Sequence, residues 1–131
     1  MKIIRSNEAV QEQIHQLLRE YNRPFWGETA DYSFHIQLDG EIAGGIVAAA
    51  TYETVEVEFL YVREDLRGQG LGASLLKKVE EAAKRDGKSR VLLNTYSFQA
   101  PGFYQKMGYR LLFAIEPCLG EHGQYFFLKE L

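Results

Sequence analysis

Residues 55–72 read VEVEFLYVREDLRGQGLG, and this stretch decides how the rest of the chain is interpreted. Its first half is rich in β-branched and aromatic residues, which predicts a strand over 54–62. Its second half places three glycines on alternate positions directly after Arg67, and apolar residues at helical spacing follow over 71–83. The stretch therefore predicts a strand, a glycine loop and the start of a helix, where backbone amides can converge on an anion.

With Ala73 included, the loop also fits the dinucleotide-binding spacing G-x-G-x-x-[G/A]. That interpretation fails, because residues 63–67 separate the strand from the first glycine and no carboxylate occurs in VLLNT, residues 91–95. A P-loop is excluded because no G-K-[ST] is present. Spacing alone leaves two alternatives open: a phosphate cradle assisted by Arg67, or a turn that only permits close packing.

Composition restricts the class of protein. The 131 residues suit one compact domain, 1–131, and the 46% hydrophobic fraction is enough to build a core. A net charge of −3 gives no general attraction to nucleic acid or to anionic membranes. The lone Cys118 indicates a reducing compartment, and neither a signal peptide nor an apolar run of the roughly 20 residues that a membrane helix needs is found. We therefore expect a cytoplasmic protein.

The remaining elements follow closely along the chain. A helix is expected after a cap at Ser6 or Asn7, ending at Pro24 and Gly27. Asp39-Gly40 predicts a hairpin, and Gly44-Gly45 indicates a bulge or a close backbone approach. Further strands are predicted at 2–5, 32–38, 41–51, 90–95, 109–115 and 124–129, with a helix at 101–107. The order β-α-β-β-β-α-β-α-β-β predicts an α/β (α+β) fold with a mixed sheet of about six to seven strands, two of them parallel.

Two motifs resemble the GNAT superfamily of acetyl-CoA-dependent N-acetyltransferases. Arg67, Gly70 and Gly72 match its loop [Q/R]-x-x-G-x-[G/A], and PGFYQKMGY at 101–109 matches its later F-Y-x-K-x-G-[F/Y] motif. The resemblance implies helices on both faces of the sheet and two splayed parallel strands that form the coenzyme A cleft. It also implies transfer of acetyl from acetyl-CoA to a primary amine of a small molecule or peptide, by direct attack in a ternary complex. The alternative is an acyl-CoA sensor of the same fold with little turnover.

The resemblance also implies site residues. Tyr104 corresponds to the family's tyrosine at the departing sulfur, while packing under the sheet is its alternative role. Glu56 and Glu58 are the candidate bases, expected on one strand face with Leu60 and Val62, unless they are only solvated or paired with a cation. The implied cofactor-binding residues are Leu60, Tyr61, Val62, Arg67, Gly68, Gln69, Gly70, Leu71, Gly72, Ala73, Asn94 and Phe103.

The acceptor site is the least determined part. Phe25 and Trp26, in a predicted loop, and His122, between the last two strands, are candidate substrate-binding residues. The aromatics could instead cap the core, and a lone loop histidine is more often a surface residue. We expect no metal, no nucleic-acid partner and no membrane partner, and a homodimer is left open.

Overall fold

The computed structural model describes residues 1–131. It contains three α-helices, one 3₁₀ turn at Glu64–Leu66 and one seven-stranded sheet. The helices are α1 (Glu8–Trp26), α2 (Leu71–Arg85) and α3 (Pro101–Lys106). The strands are β1 (Thr29–Asp31), β2 (Phe34–Leu38), β3 (Glu41–Thr51), β4 (Thr54–Val62), β5 (Arg90–Tyr96), β6 (Arg110–Leu119) and β7 (His122–Glu130).

The sheet is mixed, as predicted. Its order is β1-β3-β4-β5-β7-β6, with β2 also paired to β3, and β4–β5 is the single parallel pair. The predicted hairpin between β2 and β3 is confirmed, with Asp39 and Gly40 at φ of +52° and +78°. The predicted strand at 2–5 is wrong, because residues 1–7 form no regular element, and β1 was not predicted.

A bulge in β4 produces the splay between the two parallel strands. Val47 pairs with Phe59 and Ala48 pairs with Val57, so Glu58 is an extra residue on its strand. Pairing between β4 and β5 is confined to Thr54–Val57 on the β4 side, whereas β5 continues to Tyr96. The second half of β4 therefore separates from β5, and a cleft opens at the carboxyl ends of both strands.

One face of the sheet carries the core, and we call it the core face. On this face Ile46, Val55, Val91 and Phe127 are almost fully buried under Leu75, Leu76, Val79 and Ala83 of α2. Tyr104 of α3 joins the same cluster. Because burying an aliphatic side chain of this size contributes about 1.5–3 kcal/mol, this layer fixes α2 and α3 to the sheet.

Helix α1 differs from the prediction in two ways. The Asn7 side chain caps it, as expected, accepting a hydrogen bond of 2.9 Å from the Val10 amide. However, the helix continues through Pro24 to Trp26, with Gly27 as its C-cap, so Phe25 and Trp26 lie in its last turn and not in a loop. No residue of α1 is buried, and α2 and α3 share the core face. The expected arrangement with helices on both faces is therefore wrong for this chain.

The length and hydropathy of the three helices show whether any of them could span a membrane. None of them is both long enough and apolar enough to cross a lipid bilayer.

Candidate active site

A cavity of about 1030 Å³ occupies the cleft between the splayed strands. Its walls are formed by 57–62 of β4, 93–96 of β5, the glycine loop and the first residues of α2, and α3 closes one side. Ligands of open α/β sheets commonly bind at such carboxyl ends of parallel strands. Of the residues predicted to bind the cofactor, all line this cavity except Gln69: Leu60, Tyr61, Val62, Arg67, Gly68, Gly70, Leu71, Gly72, Ala73, Asn94 and Phe103.

The glycine loop has the backbone geometry of an anion cradle. Gly68 and Gly70 adopt φ of +79° and +82°, a region that side chains disfavour. Open space surrounds both positions, so the backbone angle and not a lack of room requires glycine there. Gly70 caps α2 without any side-chain hydrogen bond, which leaves the first amides of the helix without a capping partner, in residues that line the cavity. These residues fit a pyrophosphate group.

Arg67 connects the loop to the strand. Its Nε atom donates a hydrogen bond of 2.8 Å to the carbonyl oxygen of Val62, at the end of β4. The guanidinium has further N–H groups, and Arg67 lines the cavity, so it can also bind an anion held by the loop.

Tyr104 lies between the core and the cavity. It is only 7% exposed, and its ring packs against Phe103, Tyr109 and Phe127 at centroid distances of 5.1, 5.9 and 5.9 Å. Burial raises the pKa of Tyr104 to about 12. Tyr104 lines the cavity, and none of its polar atoms is both buried and unpaired. At neutral pH this side chain is therefore a neutral phenol that can donate a hydrogen bond into the cavity.

A polar cluster anchors the far end of α3. The Tyr109 hydroxyl donates to Glu80 Oε2 at 2.9 Å, and Lys129 Nζ donates to Glu80 Oε1 at 2.7 Å and to the Met107 carbonyl at 2.8 Å. Burial and the adjacent Glu80 charge raise the pKa of Tyr109 well above its usual range. The cluster joins α2, β7 and the residues after α3, and thereby fixes the helix that carries Tyr104.

The two candidate bases are separated by the bulge. The expectation that Glu56, Glu58, Leu60 and Val62 share one strand face is wrong, because the extra residue reverses the alternation: Leu60 and Val62 pack against the core. Glu56 is exposed and lies in register with Ala49 and Leu92, on the face opposite the core. Glu58 is exposed and lines the cavity.

The three candidate substrate-binding residues lie outside the cavity lining. Phe25 and Trp26 are 68% and 50% exposed at the end of α1. His122 begins β7, with Nδ1 3.4 Å from Ser97 Oγ and its ring edge-on to Phe98 at 4.9 Å. Because Phe98 does line the cavity, His122 is one side chain removed from it.

Sequence reasoning missed one wall of the cavity. Leu66, Thr95, Tyr96, Phe98, Gln99 and Ala100 also line it. Gln99 Oε1 organises the segment after β5 by accepting hydrogen bonds of 2.9 Å from Thr95 Oγ1 and from the Tyr96 amide. The available signal was position, since residues 95–100 lie at or just after the carboxyl end of β5 and Leu66 follows the end of β4.

Comparison with known proteins agrees with this geometry. Residues 3–109 match the model of the acetyltransferase (GNAT) family. Blasticidin-S acetyltransferase of Streptomyces morookaense is 38% identical over 93 residues, which cover 70% of this chain and 68% of that protein.

Solved structures extend the likeness to the whole chain. An acetyltransferase from Bacillus cereus is 31% identical with a TM-score of 0.87, covering 100% of this chain and 98% of that one. A crystal structure from Agrobacterium tumefaciens that is assigned as an acetyltransferase is 25% identical with a TM-score of 0.90, covering 100% of both chains. A structure from Bacillus anthracis with the same fold, solved with acetyl coenzyme A, is 17% identical with a TM-score of 0.68, covering 83% of this chain and 67% of that one. Together the family match, the relative and the cleft geometry show that this chain belongs to the acetyltransferase (GNAT) family.

Proposed function

We propose that the chain transfers an acetyl group from acetyl-CoA to a primary amine of a small molecule or peptide, by direct attack in a ternary complex. The observation that carries this proposal is the convergence on one cavity of three features: the α2 N-terminus, which has no capping side chain, the splayed end of β4 and Tyr104. A cavity of about 1030 Å³ that is lined both by an anion cradle and by a phenol suits a phosphorylated thioester. The exposed free thiol of Cys118 is consistent with a cytoplasmic setting.

The loop and the strand would hold the donor. The amides at the start of α2 and Arg67 are placed to bind the pyrophosphate, and the free edge of 59–62 can pair with the amide groups of the pantetheine arm. When bound, acetyl-CoA supplies a thioester whose C–S bond breaks as the new C–N bond forms, so that one proton passes overall from nitrogen to sulfur.

Tyr104 is proposed to act at the sulfur. A thiol has a pKa near 8.5, so a phenol with a pKa of about 12 cannot give up its proton permanently to a thiolate. Its proposed role is therefore to donate a hydrogen bond to the sulfur as negative charge develops there. Any proton that Tyr104 transfers is regained from the acceptor nitrogen, and the tyrosine ends the cycle neutral.

Glu58 is the better-placed candidate for receiving the acceptor proton. It lines the cavity, whereas Glu56 does not, although Glu56, two residues earlier on the open side of the sheet, could act through water. A carboxylate at this point also favours a cationic acceptor that becomes neutral before attack.

The acceptor class is proposed as a small cationic molecule with a primary amine. Support comes from the exposed carboxylates of β4 and from the similarity to an enzyme named for blasticidin S. The test is a thiol-release assay with acetyl-CoA and a panel of blasticidin S, other amine antibiotics, polyamines, amino acids and basic peptides. Turnover should occur with at least one member, with the acetyl group on its amine by mass spectrometry.

The same acceptor panel, combined with a binding measurement, distinguishes an acetyltransferase from the alternative, an acyl-CoA sensor. For a sensor, isothermal titration with acetyl-CoA would show binding, but no member of the panel would increase thiol release above the rate of spontaneous hydrolysis. That outcome would contradict the proposed transfer and retain the cofactor assignment. Absence of binding would contradict both.

A further inference from the structure

The apolar side of α1 has no partner within its own chain. Val10, Ile14, Leu17, Leu18, Tyr21 and Phe25 form one stripe along the helix, and all are exposed, with Leu17 at 65% and Tyr21 at 72%. The opposite side of the helix is charged, with Glu12 within 4.0 Å of His15 and 3.9 Å of Arg19. Such an amphipathic helix normally buries its stripe against another surface.

The sheet face opposite the core is uncovered as well. This open face presents Val47, Phe59, Tyr61, Phe113 and Ile115, all exposed. Phe113 stacks on Phe126 of the neighbouring strand at 4.5 Å, so the apolar surface is continuous across β6 and β7. Apart from irregularities such as the bulge at Glu58, residues on this face alternate with residues on the core face, and α2 and α3 cover only the core face.

The connection between α1 and the sheet is short. Only Gly27 and Glu28 lie between α1 and β1. A Cβ atom at Gly27 would lie 2.4 Å from Cζ of Tyr52, so Tyr52 restricts the backbone at this junction. A short, constrained hinge favours exchange of the helix between two copies over folding back onto the same copy.

The position of α1 recurs in solved molecules. Residues 1–26 make up about a fifth of the 131 residues, and the Agrobacterium tumefaciens structure matches all of both chains with a TM-score of 0.90. The Bacillus cereus structure matches over the whole chain at 0.87. Residues 27–131 alone could give a score of at most about four fifths, so at least part of this helix superposes on those structures as well.

We propose that two copies of this chain form a homodimer in which the α1 stripe of each packs on the open face of the other. A two-fold arrangement makes both contacts identical and leaves neither stripe exposed. A helix of 19 residues is about 28 Å long, enough to cross several strands spaced roughly 4.8 Å apart. Two such contacts suit the roughly 1,200–2,000 Å² that specific interfaces bury.

The exchange would also complete the cleft. Phe59 and Tyr61 belong both to the open face and to the cavity lining, and Glu56 lies on the same face. A helix from the partner over these residues would therefore shield the acceptor side of the cavity from water. This goes beyond the proposed function, because it holds whatever the acceptor is.

Photo-crosslinking tests which copy receives the helix. Tyr21 is replaced by benzoylphenylalanine in the full chain, and ¹⁴N-labelled and ¹⁵N-labelled protein are mixed before irradiation. We expect a covalent product of twice the 15.0 kDa chain mass, with mixed-isotope peptides joining residue 21 to β3, β4, β6 or β7. The same peptides in a product of monomer mass would show that α1 folds back, and would overturn the proposal.

A matched position controls for random contact. Gln16 lies on the polar side of α1, so benzoylphenylalanine there should give little product. Equal yields from positions 16 and 21, or no product from position 21, would also contradict the proposal.

Charge substitution provides an independent measurement. Leu17→Glu places a carboxylate in the stripe, and its neighbour Gln16→Glu adds the same charge on the polar side. By size-exclusion chromatography with light scattering, the wild-type chain and Gln16→Glu should be dimers, and Leu17→Glu should raise the dimer Kd at least about tenfold. Circular dichroism checks that each variant is folded. A monomeric wild-type chain at micromolar concentration would refute the exchange.

Discussion

Arg67 and Val62 are joined by a hydrogen bond of 2.8 Å from the guanidinium Nε to the backbone carbonyl, five residues back along the chain. This bond holds the glycine loop against the end of β4. It also uses a carbonyl that would otherwise be free where the strand leaves the sheet. The strand that is proposed to bind the pantetheine arm and the loop that is proposed to bind the pyrophosphate are therefore positioned by one side chain.

Replacing Arg67 should weaken cofactor binding. We expect Arg67→Gln to raise the Kd for acetyl-CoA by about tenfold or more, since a hydrogen bond involving a charged group contributes about 1.5–3 kcal/mol. Isothermal titration measures this. Arg63→Gln is the matched control, because Arg63 pairs with Asp65 at 2.6 Å and does not line the cavity. An equal loss of acetyl-CoA affinity in both variants would indicate a general effect of charge and would contradict a specific role of Arg67.

Removing the Tyr104 hydroxyl should affect turnover more than binding. We expect Tyr104→Phe to lower kcat by about 100-fold with the Kd for acetyl-CoA nearly unchanged, because the ring still packs against Phe127. Tyr109→Phe is the comparison: it loses the bond to Glu80 and about 1 kcal/mol of stability. A Tyr104→Phe variant with the wild-type kcat would exclude the proposed role at the sulfur.

The two glutamates of β4 should differ in their contribution to catalysis. Glu58→Gln is expected to lower kcat/KM by about 100-fold, whereas Glu56→Gln should change it several-fold at most, because only Glu58 lines the cavity. Steady-state kinetics with the acceptor found in the panel decides between them. The reverse order of effects would mean that the proton leaves through water on the open face.

Gly44 should not accept a side chain. A Cβ atom there would lie 3.0 Å from the carbonyl oxygen of Tyr61, on a strand that cannot move without shifting the cavity wall. We expect Gly44→Ala to cost about 1–3 kcal/mol of unfolding free energy, measured by urea denaturation. In Gly102→Ala the new Cβ meets open space within α3, so that control should be neutral or slightly stabilising. Similar stability of the two variants would contradict the close approach.

Stability should fall at alkaline pH. Burial raises the pKa of Tyr104 to about 12 in the folded chain, above the ordinary value of 10.0, and the pKa of Tyr109 is raised as well. The unfolded chain therefore releases these protons first, and unfolding becomes easier as the pH rises from about 10 to about 12. Each group can contribute about 1.4 kcal/mol per pH unit at most. Between pH 8 and pH 11, urea denaturation should show a smaller loss of unfolding free energy for Tyr104→Phe than for the wild-type chain. Equal losses of unfolding free energy would contradict the raised pKa of Tyr104.

The local signals of the sequence predicted much of this fold. Asp39-Gly40 set the hairpin because both residues must accept positive φ, and the bounds of β4 agreed with its β-branched run. The strand expected at 2–5 did not form: a short β-prone segment is stable only when it pairs with the edge of a sheet, and residues 1–7 pair with no strand.

Other features of the fold and the site depend on tertiary structure, and sequence patterns could not predict them. Two-residue alternation placed Glu56 and Glu58 with Leu60, and only the pairing of β3 with β4 reveals the extra residue that separates them. Phe98 and Gln99 join the cavity through the course of the chain after β5, which no local motif encodes. The packing of α1 also lay beyond prediction, because its apolar stripe indicates a buried side without identifying the surface that covers it.

The bulge at Glu58 makes the length of β4 matter more than its individual side chains. Removing Glu58 would make the alternation regular, because Phe59 would follow Val57 directly; Phe59 and Tyr61 would stay on the open face and Leu60 and Val62 on the core face. The deletion would also let β4 and β5 pair along their whole length and so close the cleft. The cavity can thus tolerate many substitutions along its walls, whereas a change of one in the residue count of this strand would abolish it.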